Sequence, residues 1–163
     1  MKEVSINRLH ELFLLGEDGR LLRLVSRGNQ RAGAFAGTQL ASGYWTVMVD
    51  WVRMPTHRVV FAMANGRWPD ADTDHADCDP GNNSPSNLRP ATRSQNACNA
   101  GMKPNNKSGC KGVSWDKQSG KWRAQIMANG RKKNLGRFAS KDSAAEAYAD
   151  AAIQYHGQFA RLS

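Results

Sequence analysis

The chain has 163 residues, a formal net charge of +9, 40% hydrophobic residues and 23% charged residues, which excludes wholesale disorder and fits one or two globular domains. Its apolar runs are far shorter than the roughly 20 residues of a membrane span, and its N-terminus does not resemble a secretory signal. Three cysteines without a CxxC pair argue against a disulfide scaffold or a zinc knuckle and suit a reducing cytosol.

The first part of the chain predicts small strands followed by a helix. Residues 12–31 read as two short strands around a Glu-Asp-Gly turn, and residues 43–53 alternate apolar and polar side chains as a strand does. The helix that follows is predicted to be capped by Thr56 and to end at Asn65-Gly66. Its buried face is expected to contain Val59, Val60, Met63 and Ala64.

The next segment concentrates small oxygen-bearing side chains. It reads DTDHADCDPGNNSPSNLRPATRSQN over residues 72–96. Thr92 and Gln95 have the spacing of a capping box, which would place Asn96 in the first turn of a short helix. Such a segment is either a turn-rich loop or a metal site.

The remainder of the chain predicts a linker, a small sheet and a helix. Residues 99–108 are rich in Gly, Asn and Lys and read as a linker. Short strands are predicted over 111–115, 121–127 and 132–138, with Gly-containing turns between them. In the middle strand Trp122, Ala124 and Ile126 share an apolar face, and Lys121, Arg123, Gln125 and Met127 share the opposite face. A helix that ends at Gly157 would cover the apolar face.

The positive charge is concentrated in this second part. Residues 101–141 carry 11 basic residues and one acid, whereas residues 1–100 carry 11 basic and 10 acidic residues. Such a concentration of positive charge in a short segment suggests a polyanionic partner, most simply nucleic acid. A solvated basic surface is the alternative.

Residues 108–160 resemble the DNA-binding domain of plant APETALA/ethylene-response factors, through SGCKGVSWDKQSGKWRAQI, NLGRFAS and EAYADAAIQYHG. In that family the sheet lies in the major groove of DNA, which admits a β-ribbon. Ser114, Met127 and Asn134 stand where several plant proteins have Arg or Trp, so the plant target sequence does not carry over. The expected DNA-binding residues are Lys111, Ser114, Lys117, Lys121, Arg123, Gln125, Lys132 and Asn134.

The oxygen-rich segment resembles the HNH nuclease motif, through Asp74-His75, Asn87 within NLR, and Asn96 within RSQN. The upstream HRVVFAMANGRWP is similar to the matching segment of phage HNH homing endonucleases, which often join this nuclease to the sheet domain described above. The resemblance implies an α+β chain in three parts. These are a ββα-metal (HNH, His-Me finger) nuclease with N-terminal β-strands over residues 1–98, a linker over 99–108, and a three-stranded sheet packed on one helix over 109–163.

The resemblance also implies a role for each polar residue of the motif. Asp74 and Asn96 would bind one divalent cation, Mg²⁺ or Mn²⁺, and His75 would be the general base. Strand neighbours point to opposite faces, which suits this division between metal and water. Asn87 would tie the loop together and orient His75. Arg93 would touch the scissile phosphate, with a solvated helix charge as the alternative.

The sequence therefore predicts a site-specific, Mg²⁺-dependent DNA endonuclease, a phage homing enzyme that nicks one strand of double-stranded DNA. We expect it in the host cytoplasm, without a membrane partner, as a monomer or a DNA-induced dimer. A DNA-binding regulator with a vestigial nuclease fold and a non-specific defence nuclease are the alternatives. Four N-terminal arginines could contact phosphates, although solvated charges are an equal possibility: Arg20, Arg23, Arg27 and Arg31.

Overall fold

This computed structural model describes residues 4–102 and 105–162, so residues 103 and 104 of the predicted linker lie outside the described residues. The chain divides between Ala91 and Thr92 into two compact units. Both units mix helices with antiparallel strands, which confirms the predicted combination of α and β structure. The part of the chain that the structure describes contains no helix long and apolar enough to cross a membrane.

The first unit is built from short antiparallel sheets and two helices. Its elements are α1 (Ile6–Leu12), β1 (Phe13–Leu15), β2 (Leu21–Arg23), β3 (Thr38–Gln39), β4 (Trp45–Val49), β5 (Val52–Pro55), α2 (Thr56–Asn65), β6 (Asp72–His75) and β7 (Leu88–Ala91). These strands form separate antiparallel sheets with the orders β1–β2, β3–β4–β5 and β6–β7. The largest fully buried side chains are Leu9, Leu21, Val47, Val49, Val59 and Val60. Each contributes about 1.5–3 kcal/mol by leaving water, so α1, α2, β2 and β4 hold this unit together.

Helix α2 lies where the sequence predicts it, but its first turn differs. Pro55 is the N-cap without a side-chain hydrogen bond, and Thr56 is already helical. The prediction of a Thr56 cap was wrong because β5 runs directly into the helix. The Thr56 hydroxyl is instead buried without a hydrogen-bond partner among the described residues. At the other end Gly66 closes the helix with φ of 66°, as predicted, whereas Ala64 is exposed and does not join the core.

The region predicted to be β-rich over residues 43–53 is a hairpin. Strands β4 and β5 pair up to Val49 and Val52, so Asp50 and Trp51 form a two-residue turn. Both turn residues have positive φ, 43° and 69°, a conformation that two-residue turns usually assign to Asn or Gly. Asp50 suits the first position of such a turn, but Trp51 stands where glycine is favoured, which is why the pattern did not reveal the turn.

The second unit contains α3 (Arg93–Asn99), β8 (Val113–Asp116), β9 (Lys121–Ala128), β10 (Arg131–Phe138) and α4 (Lys141–His156). Its sheet has the order β10–β9–β8, and α4 packs on the face formed by Val113, Ala124 and Ile126. The turn at Asn129-Gly130 has positive φ at both residues, as the hairpin signal predicts. A Cβ atom on Gly112 would overlap the Tyr148 ring of α4, so the close approach of chain and helix requires glycine there.

Candidate active site

The β6–β7 hairpin carries the predicted catalytic pair. His75 pairs with Leu88 and Asp74 with Arg89 across the two strands. The His75 side chain is buried on the inner face, and the Asp74 side chain lies on the other face. This alternation is what the strand geometry predicts for neighbouring residues.

The imidazole of His75 is held by an amide that the sequence did not identify. His75 Nε2 lies 3.1 Å from Asn83 Oδ1, and both residues are buried. An amide oxygen accepts hydrogen bonds, so Nε2 is the donor in this contact, and in a neutral imidazole the lone pair would then lie on Nδ1. The signal available in the sequence was the Asn82-Asn83 pair within the turn, but nothing distinguished Asn83 from its neighbours.

Two aromatic rings surround His75. The ring centroids of His57 and His75 are 5.2 Å apart, and those of Tyr44 and His75 are 5.8 Å apart. Burial lowers the pKa of His57 to about 4, with further contributions from His75 and Arg58, so His57 is neutral near pH 7. The Nδ1 atom of His57 has no hydrogen-bond partner among the described residues. The His57 and Tyr44 rings together restrict rotation of the His75 side chain.

Asn87 organises the loop that joins β6 to β7. Its Oδ1 accepts from the Asp77 amide at 3.0 Å, and its Nδ2 donates to Asp77 Oδ1 at 2.9 Å and to the Asn82 carbonyl at 2.8 Å. Burial alone would raise the pKa of Asp77, but hydrogen bonds from Asp79, Asn82 and Asn87 outweigh it and lower that pKa. The described bonds of the Asn87 side chain thus fix the loop, while the amide that contacts the His75 ring is that of Asn83.

The β1–β2 turn supports the same loop from the side. Gly19 has φ of 77°, and a Cβ atom there would overlap the Asn83 carbonyl group. The Ser84 hydroxyl also donates to the Glu17 carbonyl at 3.2 Å. A small residue at position 19 therefore lets the turn approach the backbone that carries Asn83.

Asp74 is engaged by a neighbouring cation. Arg89 donates a hydrogen bond from Nε to Asp74 Oδ2 at 2.9 Å. Its Nη2 lies 2.8 Å from the same oxygen in an ion pair. The exposed fractions of the two side chains are 17% for Arg89 and 10% for Asp74, so the pair is largely shielded from solvent. The sequence placed Arg89 within NLR but did not predict this contact.

The donor atoms of the predicted metal ligands suit a hard divalent cation. A carboxylate offers about four acceptor positions on its two oxygens, so the Arg89 bonds to Oδ2 are compatible with a metal ion on Asp74. Among residues 4–102 and 105–162 no group of three or more His, Cys, Asp and Glu side chains could hold a metal. A site based on Asp74 would therefore need amide oxygen and water, which Mg²⁺ accepts.

Helix α3 carries Arg93 and Asn96 in the second unit. Thr92 and Gln95 form the predicted capping box: the Thr92 hydroxyl accepts from the Gln95 amide, and the Gln95 side chain accepts from the Thr92 amide. This confirms that Asn96 lies in the first turn of a helix. Arg93 is exposed, and Asn96 is half-buried.

Lys111 has a partner that its predicted role did not include. Its Nζ donates to the Cys98 carbonyl at 2.6 Å and to the Ala100 carbonyl at 2.7 Å. These are carbonyl groups at the C-terminal end of α3, where a cation is favoured. The ammonium has three donors and these bonds use two of them, so the DNA-binding role of Lys111 stays a prediction.

The outer face of the C-terminal sheet is polar and basic. Ser114, Arg123 and Arg137 stand side by side across the strands, as do Gln125 and Asn134. Lys117, Lys121 and Lys132 are exposed beside them. The Arg123 Nε atom is buried without a hydrogen-bond partner in the described structure.

One cation of this face is neutralised. Arg137 Nε donates to Asp116 Oδ2 at 2.7 Å, and this bond is the main reason that the pKa of Asp116 falls to about 2. Strands β8, β9 and β10 contain no acid other than Asp116.

Comparisons with known proteins gave three matches. A family model described as HNH endonuclease matches residues 55–98, which include α2, His57, the β6–β7 hairpin and most of α3. Protein 3.8 of Escherichia phage T7 is 36% identical over 107 residues, which are 65% of this chain and 88% of that protein. A solved structure described as DNA binding and cleavage by the HNH homing endonuclease I-HmuI is 17% identical, with a TM-score of 0.46 over 96% of this chain and 91% of that chain.

The hairpin that holds His75 and Asp74 thus lies in an HNH endonuclease domain, and the protein is a nuclease by class. The chain belongs to the same family as the phage T7 protein 3.8.

Proposed function

We propose that this chain is a site-specific DNA endonuclease of the homing type, which hydrolyses one strand of double-stranded DNA with the help of a divalent cation. One observation carries the proposal. His75 is buried with its Nε2 against Asn83 and directly follows Asp74, inside the segment that matches the HNH endonuclease model.

His75 is the proposed general base. With Nε2 protonated toward Asn83, Nδ1 is the nitrogen that accepts a proton from the attacking water. Tyr44 and His57 contact the ring and keep it in one orientation, so that less freedom is lost when DNA binds. Asn87 acts at a distance by fixing the loop that carries Asn83.

Asp74 and Asn96 are the proposed metal ligands, and Mg²⁺ or Mn²⁺ suits their oxygen atoms. When bound, the cation would supply charge stabilisation for the phosphate and for the departing 3′ oxygen. Arg93, exposed at the start of α3, would contact the scissile phosphate. One base and one metal ion suffice to cut one strand in each encounter, so we propose nicking by a monomer or a DNA-induced dimer in the host cytoplasm.

The Asp74–Arg89 ion pair supports one alternative function, that of a DNA-binding regulator without cleavage activity. A guanidinium group on the metal-binding carboxylate is also what a DNA-binding regulator with a vestigial nuclease site would contain. Cleavage itself separates the two functions. With Mg²⁺, a supercoiled plasmid that carries host-genome fragments should become open circles. Unchanged supercoils that are nonetheless bound would favour the regulator, and fragments cut at random positions would favour a defence nuclease.

The C-terminal sheet is the proposed reader of the target, in the manner of an APETALA-type domain. Its outer face presents Ser114, Arg123, Gln125 and Asn134 in register, and exposed lysines surround them. Base contacts specify a sequence, whereas phosphate contacts only position the protein. We therefore assign specificity to the side chains in the middle of the strands and general affinity to the lysines.

This assignment predicts two kinds of substitution effect. Arg123→Ala or Gln125→Ala should weaken binding by about 1–3 kcal/mol on the cognate site alone, because a base contact is lost. Lys117→Ala or Lys121→Ala should weaken cognate and scrambled duplexes about equally and lower the salt slope by roughly 0.9 per phosphate contact. The measurement is a salt series on both duplexes, after run-off sequencing of cut products has identified the site. Equal losses for all four variants on both duplexes would show that this face does not read bases.

A further inference from the structure

The first unit has a basic surface of its own, and no residue of the β6–β7 hairpin lines it. A cleft of about 630 Å³ between the β4–β5 turn and the loop after β2 is lined by Arg23, Arg27, Gln30 and Trp51. A neighbouring cleft of about 400 Å³ is lined by Arg31 and Arg53. Both clefts share the same wall of residues: Arg23, Asn29, Gln30 and Met48. We call the two together the arginine groove.

The arginine groove has a net positive charge. Residues 20–55 contain five arginines and a single acid, Asp50. Asp50 is bound by Arg8 at 2.8 Å and by Arg27 at 3.1 Å, so it is already neutralised. Arg31 and Arg53 are exposed. A concave, positively charged surface of this kind fits a polyanion.

Trp51 lies at the rim of the arginine groove, where both its solvent exposure and its backbone conformation are unfavourable for tryptophan. Its side chain is 87% exposed, and its backbone has φ of 69°, in the left-handed region that bulky residues rarely adopt. Glycine at this position would complete an Asp-Gly turn, the favoured type for a two-residue hairpin loop. Exposure and backbone strain both oppose tryptophan here, and packing within the unit returns little. A contact outside the chain would explain the residue.

We propose that the arginine groove, with Trp51 at its rim, is a second contact surface for duplex DNA. The arginines contact phosphates, and the indole ring packs into a groove of the duplex, where apolar side chains can wedge against base steps. The proposal rests on DNA as the substrate and adds a surface outside both the nuclease site and the C-terminal sheet. Duplex DNA is favoured over single strands because two exposed aromatic side chains, Trp51 and Phe35, line the clefts. Arg20 already lies over the Phe35 ring, so the lining offers no row of free rings on which successive bases could stack.

The structure supplies a variant that removes the ring without harming the fold. Trp51→Gly creates the favoured Asp-Gly turn, so its melting temperature should equal or exceed that of the unchanged chain. Its affinity for duplex DNA should nevertheless fall roughly ten-fold, in the range of aromatic–base contacts. Trp51→Phe, which keeps an aromatic ring, should recover most of that loss. Leu14→Ser is the matched control, since Leu14 is 54% exposed in the same unit but lies outside both clefts.

The arginines are tested by charge. Arg31→Gln and Arg53→Gln should each lower the salt slope of DNA binding by roughly 0.9. Arg67→Gln removes the same charge from the same unit, where Arg67 pairs with Asp70 at 2.8 Å, and should leave the slope unchanged. Binding is measured by fluorescence anisotropy on a labelled duplex in chelator, so that cleavage cannot interfere.

The outcomes separate this proposal from that of nuclease activity. Weak binding by Trp51→Gly together with reduced slopes for Arg31→Gln and Arg53→Gln supports the second surface, whether or not the chain cuts DNA. Unchanged affinity of a folded Trp51→Gly protein overturns it, even if the chain nicks plasmid efficiently. Tighter, Trp51-dependent binding to a duplex RNA of the same length would also overturn it, because the partner would then be RNA.

Discussion

The variant His75→Ala should cleave DNA about 10²–10⁴-fold more slowly than the unchanged chain and bind it with nearly the same affinity. The loss corresponds to removal of a general base that takes the proton from water. Affinity should persist because His75 is buried at 5% exposure and the proposed DNA-binding surfaces lie elsewhere. Single-turnover nicking rates and anisotropy on the same duplex measure the two quantities separately.

The structure also sets the controls for this test. Alanine at position 75 leaves the buried Asn83 oxygen without its partner, which can cost about 1–3 kcal/mol of stability. Melting temperatures must therefore be measured, and His75→Gln, which retains an amide donor toward Asn83, should fold better but remain slow. His10→Ala changes an exposed histidine on α1 and should have no effect. A near-normal rate from folded His75→Ala would remove His75 from the mechanism.

The identity of the site residues could be predicted from the sequence, but their partners could not. Asp74 and His75 are neighbours on a strand, and a local alternation rule places them on opposite faces. Asn83 contacts His75 because the β6–β7 loop folds back over the hairpin. Arg89 contacts Asp74 because β7 pairs with β6. Several Asn residues in the loop have the same chemistry, so selecting Asn83 requires the buried position that the Gly19 turn helps to create.

Local signals were most reliable where one residue type decides the conformation. The Thr92 capping box, Gly66 at the end of α2 and the Asn129-Gly130 turn all formed as predicted. The β4–β5 turn was missed because Trp51 stands where the favoured Asp-Gly turn has glycine. Hydrogen bonds from Arg8, 42 residues away, hold Asp50 in place. A turn that depends on distant partners leaves little trace in its own sequence.

Lys111 illustrates the same difficulty for function. On the sequence it is one of many cations in a basic segment, and charge alone favours DNA contact. In the folded unit its ammonium lies between carbonyls of Cys98 and Ala100, so it stabilises the end of the helix that carries Asn96. This contact spans 11 to 13 residues, and no periodicity within one element predicts it.

Removal of divalent cations should abolish cleavage, and Mg²⁺ or Mn²⁺ should restore it. The ligand test is best made with Asp74→Asn. Arg89 donates one hydrogen bond to Asp74, forms an ion pair with it and is 17% exposed. Asp74→Ala would therefore remove the carboxylate that pairs with a largely shielded guanidinium, at a cost of about 3–5 kcal/mol. Asparagine keeps an oxygen acceptor for Arg89 and removes the charge that a metal ion requires. Restoration at millimolar Mg²⁺ should therefore fail in Asp74→Asn although the protein remains folded.

Asp72→Asn is the matched control for Asp74→Asn. Asp72 lies on β6, two residues before Asp74 and on the same face, but it is exposed, so the same loss of charge should leave metal-dependent cleavage intact. Calorimetric titration with Mn²⁺ gives a measurement that does not depend on turnover, and Asp74→Asn should lose the binding that Asp72→Asn retains. Normal restoration of Asp74→Asn would remove the Asp74 carboxylate from the metal site. Full cleavage by the unchanged chain in chelator would exclude a metal-dependent mechanism altogether, because the charge of the departing oxygen would then be stabilised without a cation.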